Sequence, residues 1–331
     1  MNESKRALVV GAGTMGGGYA RLFASRAVPG VELAGVVDLI PERAQAVASA
    51  NGADAYTDLY DAIHELKPDF AYVATPDALH RGPVETLAAA GIPLLVEKPL
   101  ATTVEDGDAM IQAVERAGIH AEVNYSNRWN PPFVEARRVV DSGEAGEIRS
   151  FNVRLNNTIT SPETDLSWSA STTPAWFLMS HCLDLAHWLS GRTAVSVYAT
   201  AGYGVLADLG VGTPDWIHAT VRYEGGGDGV FEAMWILPDT WPGTMEFVFR
   251  AVGSKAAIDV DVSHQNIVVT GLRHHYPVTL NWAQQRVASF LQALDGHGRM
   301  VVSFPDAMEV TRILVAAHRS IESGAVEPVR T

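Results

Sequence analysis

KRALVVGAGTMGGGYA, residues 5–20, runs from a short β-branched apolar segment through a glycine turn into a stretch that continues as an amphipathic helix to Ser25. Gly11, Gly13 and Gly16 have the GxGxxG spacing, which on its own often marks only a turn. Their setting decides the fold. A second apolar run, VELAGVV at 31–37, ends in Asp38, 22 positions after Gly16. Strand, glycine turn, helix, strand and acid in this order predict a dinucleotide site. Gly11 allows the tight turn, Gly13 lets a pyrophosphate approach the backbone at Thr14 and Met15 on the helix N-terminus, and Gly16 lets helix and strand pack closely. Asp38 is placed to accept hydrogen bonds from an adenosine ribose. Its carboxylate repels a 2′-phosphate and Leu39 and Ile40 bring no cation, so NAD is favoured over NADP, although Arg43 lies within reach of a phosphate.

Outward from this turn the alternation continues. Pro41 opens the helical stretch PERAQAVASANG, followed by the helix DLYDAIHELK, the strand DFAYVATP and the helix LHRGPVETLAAAG. The strand PLLVEKP, a helix beginning at a Thr103/Asp106 cap and the strand IHAEVNY complete the series. Uncharged apolar strands separated by helices imply right-handed βαβ units and a parallel sheet covered on both faces. Residues 1–123 therefore read as a doubly wound domain. From about residue 147 the period changes to two, in EIRSFNVRLNN, AVSVYATA, WIHATVRYEGGGDGVFEAMWIL, MEFVFRAV, AAIDVDV and NIVVTG, with turns at GGGDG and VGSKA. Residues 124–331 read as a second α/β domain on a large, mostly antiparallel open sheet, whose free face predicts a homodimer or homotetramer.

The chain has 331 residues, a net charge of −14 and a single cysteine, Cys182. The acidic balance and scattered cations argue against nucleic acid and anionic lipid as partners. One cysteine excludes an internal disulfide and any multi-cysteine zinc or iron–sulfur framework, and suits a reducing compartment. The glycine-broken N-terminal run fits the nucleotide turn better than a signal peptide, and no uncharged apolar stretch of about 18 residues spans a membrane. The expected location is cytoplasmic.

Ligands of open α/β sheets bind beyond the carboxyl ends of the strands, here Thr75-Pro76-Asp77, Glu97-Lys98-Pro99 and Asn124-Tyr125. Pro99 restricts Lys98, by excluding the α region or by a cis bond. A lysine there can hydrogen-bond a substrate oxygen and stabilise the alkoxide as hydride leaves the carbon; an ordinary Lys-Glu pair is only a surface ion pair. A second polar cluster lies in WFLMSHCLDLAHWL, residues 176–189. At about 100° per residue, His181 is central on the apolar face, Asp184 lies one turn on, His187 is further round and Cys182 is on the opposite flank. These ligands do not converge, so no metal is expected; Cys182 and His187 read as structural. His181 is either a core histidine satisfied by Asp184 or a general acid/base. The polar stretch TITSPETDLSWSASTTPAW carries Trp168 and Trp176, whose faces suit a sugar ring or the core equally, and Tyr125, Asn127 and Trp129 share that ambiguity.

GAGTMG, Asp38, TPDALH at 75–80, EKPL at 97–100, NRWNP at 127–131 and HCLDL at 181–185 together resemble the Gfo/Idh/MocA family. The resemblance implies a Rossmann domain followed by an α/β domain with a large sheet. It also implies a nicotinamide cofactor and redox chemistry at a carbinol of a sugar, cyclitol or related polyol. By motif matching Lys98 and His181 are the catalytic pair, and Thr75, Pro76, His80, Glu97, Lys98 and Arg128 fall around the cofactor. Tyr125, Trp168, Trp176 and Asp184 are the candidates for substrate contact. One departure stands out: the family's polyol dehydrogenases often carry DxGxH, and here Phe177 and Met179 occupy the aspartate and glycine positions. The expected activity is an NAD-dependent dehydrogenase or reductase. The alternatives are NAD-assisted elimination or glycoside hydrolysis without net redox change, and a non-catalytic nucleotide-bound sensor or scaffold.

Overall fold

In the computed structural model, residues 4–263, 269–270, 274–275 and 282–330 are described. The first alternating series forms β1 (Lys5–Val10), α1 (Thr14–Ala24), β2 (Val31–Val37), α2 (Pro41–Ala50), β3 (Asp54–Tyr56), α3 (Leu59–Leu66), β4 (Phe70–Val73), α4 (Arg81–Ala89), β5 (Leu94–Val96), α5 (Val104–Ala117) and β6 (Ala121–Val123). The strands pair in parallel in the order β3-β2-β1-β4-β5-β6. Strand order therefore reverses between β1 and β4, the switch point at which such sheets bind ligands. Their carboxyl ends are locked together: Gly11 N–H donates to the Val37 carbonyl at 2.8 Å, and Ala74 N–H to the Val10 carbonyl at 2.7 Å. The short edge strand β3 had no sequence signal of its own.

The second half forms α6 (Pro131–Asp141), β7 (Ile148–Thr158), α7 (Ser180–Ser190), β8 (Ala194–Gly202), the single turn α8 (Val205–Asp208), β9 (Trp216–Tyr223), β10 (Asp228–Leu237), β11 (Met245–Gly253) and β12 (Ala257–Asp261). β13 (Val269–Thr270) pairs with β14 (His274–His275), and α9 (Ala283–Leu294), α10 (Phe304–Ser323) and β15 (Glu327–Pro328) follow. The rest of the expected strand NIVVTG lies outside the described residues. Seven strands form one sheet in the order β12-β11-β7-β10-β9-β8-β15. It is antiparallel except where β7 and β10 run parallel. Strict alternation of burial along β9 leaves one sheet face covered and the other open. Phe133 of α6 covers it through Phe247 and Phe249, with ring centroids at 5.4 and 5.6 Å.

Two compact units result, Met1–Ser126 with Ala283–Met308, and Asn127–Trp282 with Glu309–Thr331. The expected division, 1–123 against an unbroken 124–331, differs in that the chain returns to the first unit at α9. The cause is apolar: Val287, Phe290 and Leu291 join the core formed by Val9, Phe23, Phe70 and Tyr72. Helix α6 was also missed, although Pro131 stands at its first turn, where proline costs no hydrogen bond.

Candidate active site

The nucleotide turn is built by close approach. Gly11 has φ +99°, and a β-carbon there would lie 2.5 Å from the Ala74 carbonyl oxygen. At Gly16 a β-carbon would overlap the Gly11 carbonyl, so both positions demand glycine. Over Gly13 a β-carbon would meet nothing within 4 Å. Gly13, Thr14 and Met15 are exposed, and α1 begins with no side-chain cap and no acidic residue in its first turn. Its leading N–H groups therefore face open space, a cradle that fits a dinucleotide pyrophosphate. Asp38 braces the turn: Oδ2 accepts the Ala12 N–H at 2.8 Å and Oδ1 the Ile40 N–H at 2.9 Å. Each oxygen retains acceptor capacity for ribose hydroxyls.

Beside the turn, the tips of β4, β5 and β6 share a buried polar network that local sequence patterns did not reveal. Glu97 accepts hydrogen bonds from the Tyr72 hydroxyl and from Asn124 Nδ2, the latter at 2.6 Å. Asn124 Nδ2 also reaches the Tyr19 hydroxyl at 2.8 Å, and the two tyrosine rings stack at 4.0 Å. Burial, then the Glu97 charge, pushes both tyrosine hydroxyls above the ordinary phenol pKa, so they stay protonated donors. The other Glu97 oxygen accepts the Lys98 backbone N–H at 3.2 Å. The Lys98–Pro99 bond is cis. Burial lowers the Lys98 pKa below the ordinary lysine value, opposed by the charges of Asp77 and Glu97.

Several residues expected around the cofactor also brace the fold. Buried His80 directs Nδ1 to the Leu100 carbonyl at 3.2 Å and Nε2 to the Thr75 carbonyl at 3.1 Å, and the Thr75 hydroxyl donates to the Leu79 carbonyl. His80 thus shapes the loop of Thr75 and Pro76 through the backbone. Arg128, expected at the cofactor, and Asp184, expected at the substrate, are paired with each other: Nη2–Oδ1 is 2.6 Å and Nε–Oδ2 is 3.1 Å, with both side chains buried. A planar guanidinium matches a carboxylate in two bonds, and desolvation strengthens the demand for that partner. Tyr125 is fully buried and offers no surface to a ligand in this conformation.

The second unit holds the histidine. Residues Ala175–Met179 form a π-helical turn before α7, with Ser180 N–H bonded to the Ala175 carbonyl, so regular α spacing begins only at Ser180. Cys182, expected on the flank opposite His181 and read as structural, is fully buried, and desolvation pushes its thiol pKa up. His181 is half-buried, and its Nδ1 lies 3.3 Å from Asn127 Nδ2. His187 is satisfied by the Arg192 carbonyl at 3.2 Å. Phe177, one turn before His181, packs against Trp168 and Trp235 at 6.2 and 5.7 Å. Trp168 is half-buried, whereas Trp176 is buried flat against His318 at 4.9 Å and belongs to the core. Among the described residues no three His, Cys, Asp or Glu side chains are placed to hold a metal ion, and no helix is long and apolar enough to cross a membrane.

Switch point, glycine cradle and bracing carboxylate define the class: residues 5–125 match the family model for "Oxidoreductase family, NAD-binding Rossmann fold". Residues 133–259 match the "GFO/IDH/MocA C-terminal domain". The chain belongs to the GFO/IDH/MocA oxidoreductase family. It is 30% identical over 201 residues to an inositol 2-dehydrogenase of Corynebacterium glutamicum, covering 60% of this chain and 57% of that protein. The match thus spans little more than half of that relative. An inositol 2-dehydrogenase of Rubrobacter xylanophilus is 26% identical over 332 residues, 98% of this chain and 92% of that protein. The fold is shared with the scyllo-inositol dehydrogenase of Lactobacillus casei solved with NAD(H) and scyllo-inositol, at a TM-score of 0.87, 16% identity and coverage of 99% and 100%.

Proposed function

We propose that the protein is an NAD-dependent oxidoreductase that moves hydride between the nicotinamide and a carbinol or carbonyl carbon of a cyclitol, sugar or related polyol. The observation that carries this reading is Lys98, set just beyond β5 of the sheet that carries the nucleotide cradle, its backbone N–H held by Glu97, which Tyr72 and Asn124 hold in turn. Family membership and relatives named inositol 2-dehydrogenase support the substrate class. The chemistry a bound nicotinamide supplies is acceptance or donation of hydride at its ring. In the oxidation direction the Lys98 ammonium hydrogen-bonds the substrate hydroxyl oxygen and stabilises negative charge developing there. His181 takes the hydroxyl proton, and in reduction it returns the proton to the carbonyl oxygen as hydride reaches carbon. Asp38 holds the ribose and sets the preference for NAD over NADP. Trp168, edge-on to Phe177, offers an aromatic face to the apolar side of a ring substrate.

The open sheet face carries exposed Val195, Tyr198, Val230 and Val252, which supports a homodimer or homotetramer through this sheet; light scattering giving a monomer would contradict it. Function is tested by mixing the protein with NAD and a panel of cyclitols, sugars and their keto forms with NADH, following reduced-nicotinamide absorbance. Substrate-dependent NADH formation or consumption is expected. Product formation from a glycoside with no net change in NADH would replace this reading by the non-redox alternative.

A further inference from the structure

We propose that Asn127 is the positioning residue that orients His181 and sets its protonation. This rests on the reading of His181 as the proton-relaying group. The 3-10 turn Ser126–Trp129 brings the Asn127 carboxamide to 3.3 Å from His181 Nδ1, and only 9% of Asn127 is exposed. The turn is fixed on both sides of that contact. The Asn127 carbonyl accepts the Asn130 N–H at 3.0 Å, and the next residue, Arg128, is clamped to Asp184 one turn beyond His181 on α7. From the helix itself, the position one turn before His181 is Phe177, whose ring is committed to Trp168 and Trp235. The group at His181 Nδ1 is thus a neutral amide.

The difference is chemical. A carboxylate only accepts, so it fixes the Nδ1–H tautomer and favours the imidazolium. A carboxamide accepts through oxygen or donates through nitrogen after rotation of its plane, so it holds the ring in either neutral tautomer without adding charge. Oxidation requires the carboxamide oxygen to accept from Nδ1–H, which leaves the Nε2 lone pair to gain the proton as the hydroxyl loses it and to return it in reduction. The charged and titratable groups around α7 have contacts of their own. On the helix, Asp184 holds Arg128, and His187 contacts the Arg192 carbonyl. On α6, Arg137 contacts Asp141 and the Trp188 carbonyl, and Arg138 contacts Glu135 and Glu144. On β7, Arg149 pairs with Glu147 and Arg154 with Glu246.

The test is a pH titration of the His181 ring by long-range proton–nitrogen NMR, with NAD present, in wild type, Asn127→Asp, Asn127→Leu and, for assignment, His181→Ala. Turnover of myo-inositol with NAD is measured alongside. Asn127→Asp is close to isosteric and is expected to raise the His181 pKa by about one unit or more, because a nearby carboxylate favours the charged form. The acid limb of kcat/KM, which requires neutral imidazole for oxidation, then moves to higher pH. Asn127→Leu is expected to alter the His181 tautomer ratio and lower kcat by about tenfold or more, with NADH affinity unchanged. An unshifted His181 titration in Asn127→Asp, or a wild-type tautomer ratio in Asn127→Leu, would overturn the positioning role. If the NMR shifts occur but His181→Ala keeps wild-type turnover, the contact stands and the catalytic reading of His181 falls.

Discussion

Lys98 sits under opposing influences: burial lowers its pKa, and the carboxylates of Asp77 and Glu97 raise it, with burial dominant. If its ammonium steadies the substrate oxygen, activity requires the protonated form and must fall as pH rises through this depressed pKa. The alkaline limb of kcat/KM should therefore lie below the ordinary lysine value of about 10.4. Lys98→Arg, which stays charged, should move that limb out of the accessible range even if its kcat is lower. A limb that persists at the same pH in the arginine variant would assign it to another group. Phe177 is the other residue with a consequence. It gives up a potential acid in favour of an aromatic contact with Trp168 and Trp235, so proton handling must rest on fewer groups.

At the level of elements, the glycine turn has a geometric tolerance that can be tested. Gly16→Ala places a methyl group on the Gly11 carbonyl and must displace α1 from β1. Calorimetric titration with NADH should show affinity lowered by about tenfold or more, a cost of about 1.4 kcal/mol or above. Wild-type affinity would mean that the cradle is not where the pyrophosphate binds. This turn was legible because all its requirements are local: glycine spacing, a preceding apolar run and an acid at a fixed distance. The hydrogen-bonded tips of β4, β5 and β6 were not. Tyr19, Tyr72, Glu97 and Asn124 lie far apart in sequence, and only pairing of the strands brings them together. The same holds for Asn127 and His181. On α7 the even helical spacing holds from Ser180 onward, but the π turn at Ala175–Met179 changes the phase between Phe177 and His181.

Over the whole molecule, alternation of period predicted both sheets, but it carried no information about the return of α9 to the first unit. That return is fastened by Arg286, whose Nη2 lies 3.1 Å from Glu122 Oε2, both side chains being fully buried. Burial raises the Glu122 pKa, but the His120 hydrogen bond and the Arg286 charge outweigh it and hold the carboxyl below its ordinary value. A depressed carboxylate contributes stability above its unfolded pKa and loses it as pH falls through the folded one. Acid unfolding of the first unit should therefore draw on Glu122 at pH values below about 4.3, the ordinary glutamate range. Glu122→Gln strands a buried cation and should cost about 3–5 kcal/mol in denaturant titration. Replacing both partners with apolar residues should recover most of that loss. A single variant as stable as wild type would show that this pair does not fasten α9.

If, as proposed, a carbinol is oxidised through Lys98 with NAD bound in the glycine cradle, Lys98 governs turnover and not cofactor affinity. Lys98→Met separates the two, with NADH affinity and steady-state NADH formation measured on the same preparation with the best polyol of the panel. Wild-type NADH affinity is expected, with turnover reduced by about a hundredfold or more. Undiminished turnover in this variant would contradict the proposal.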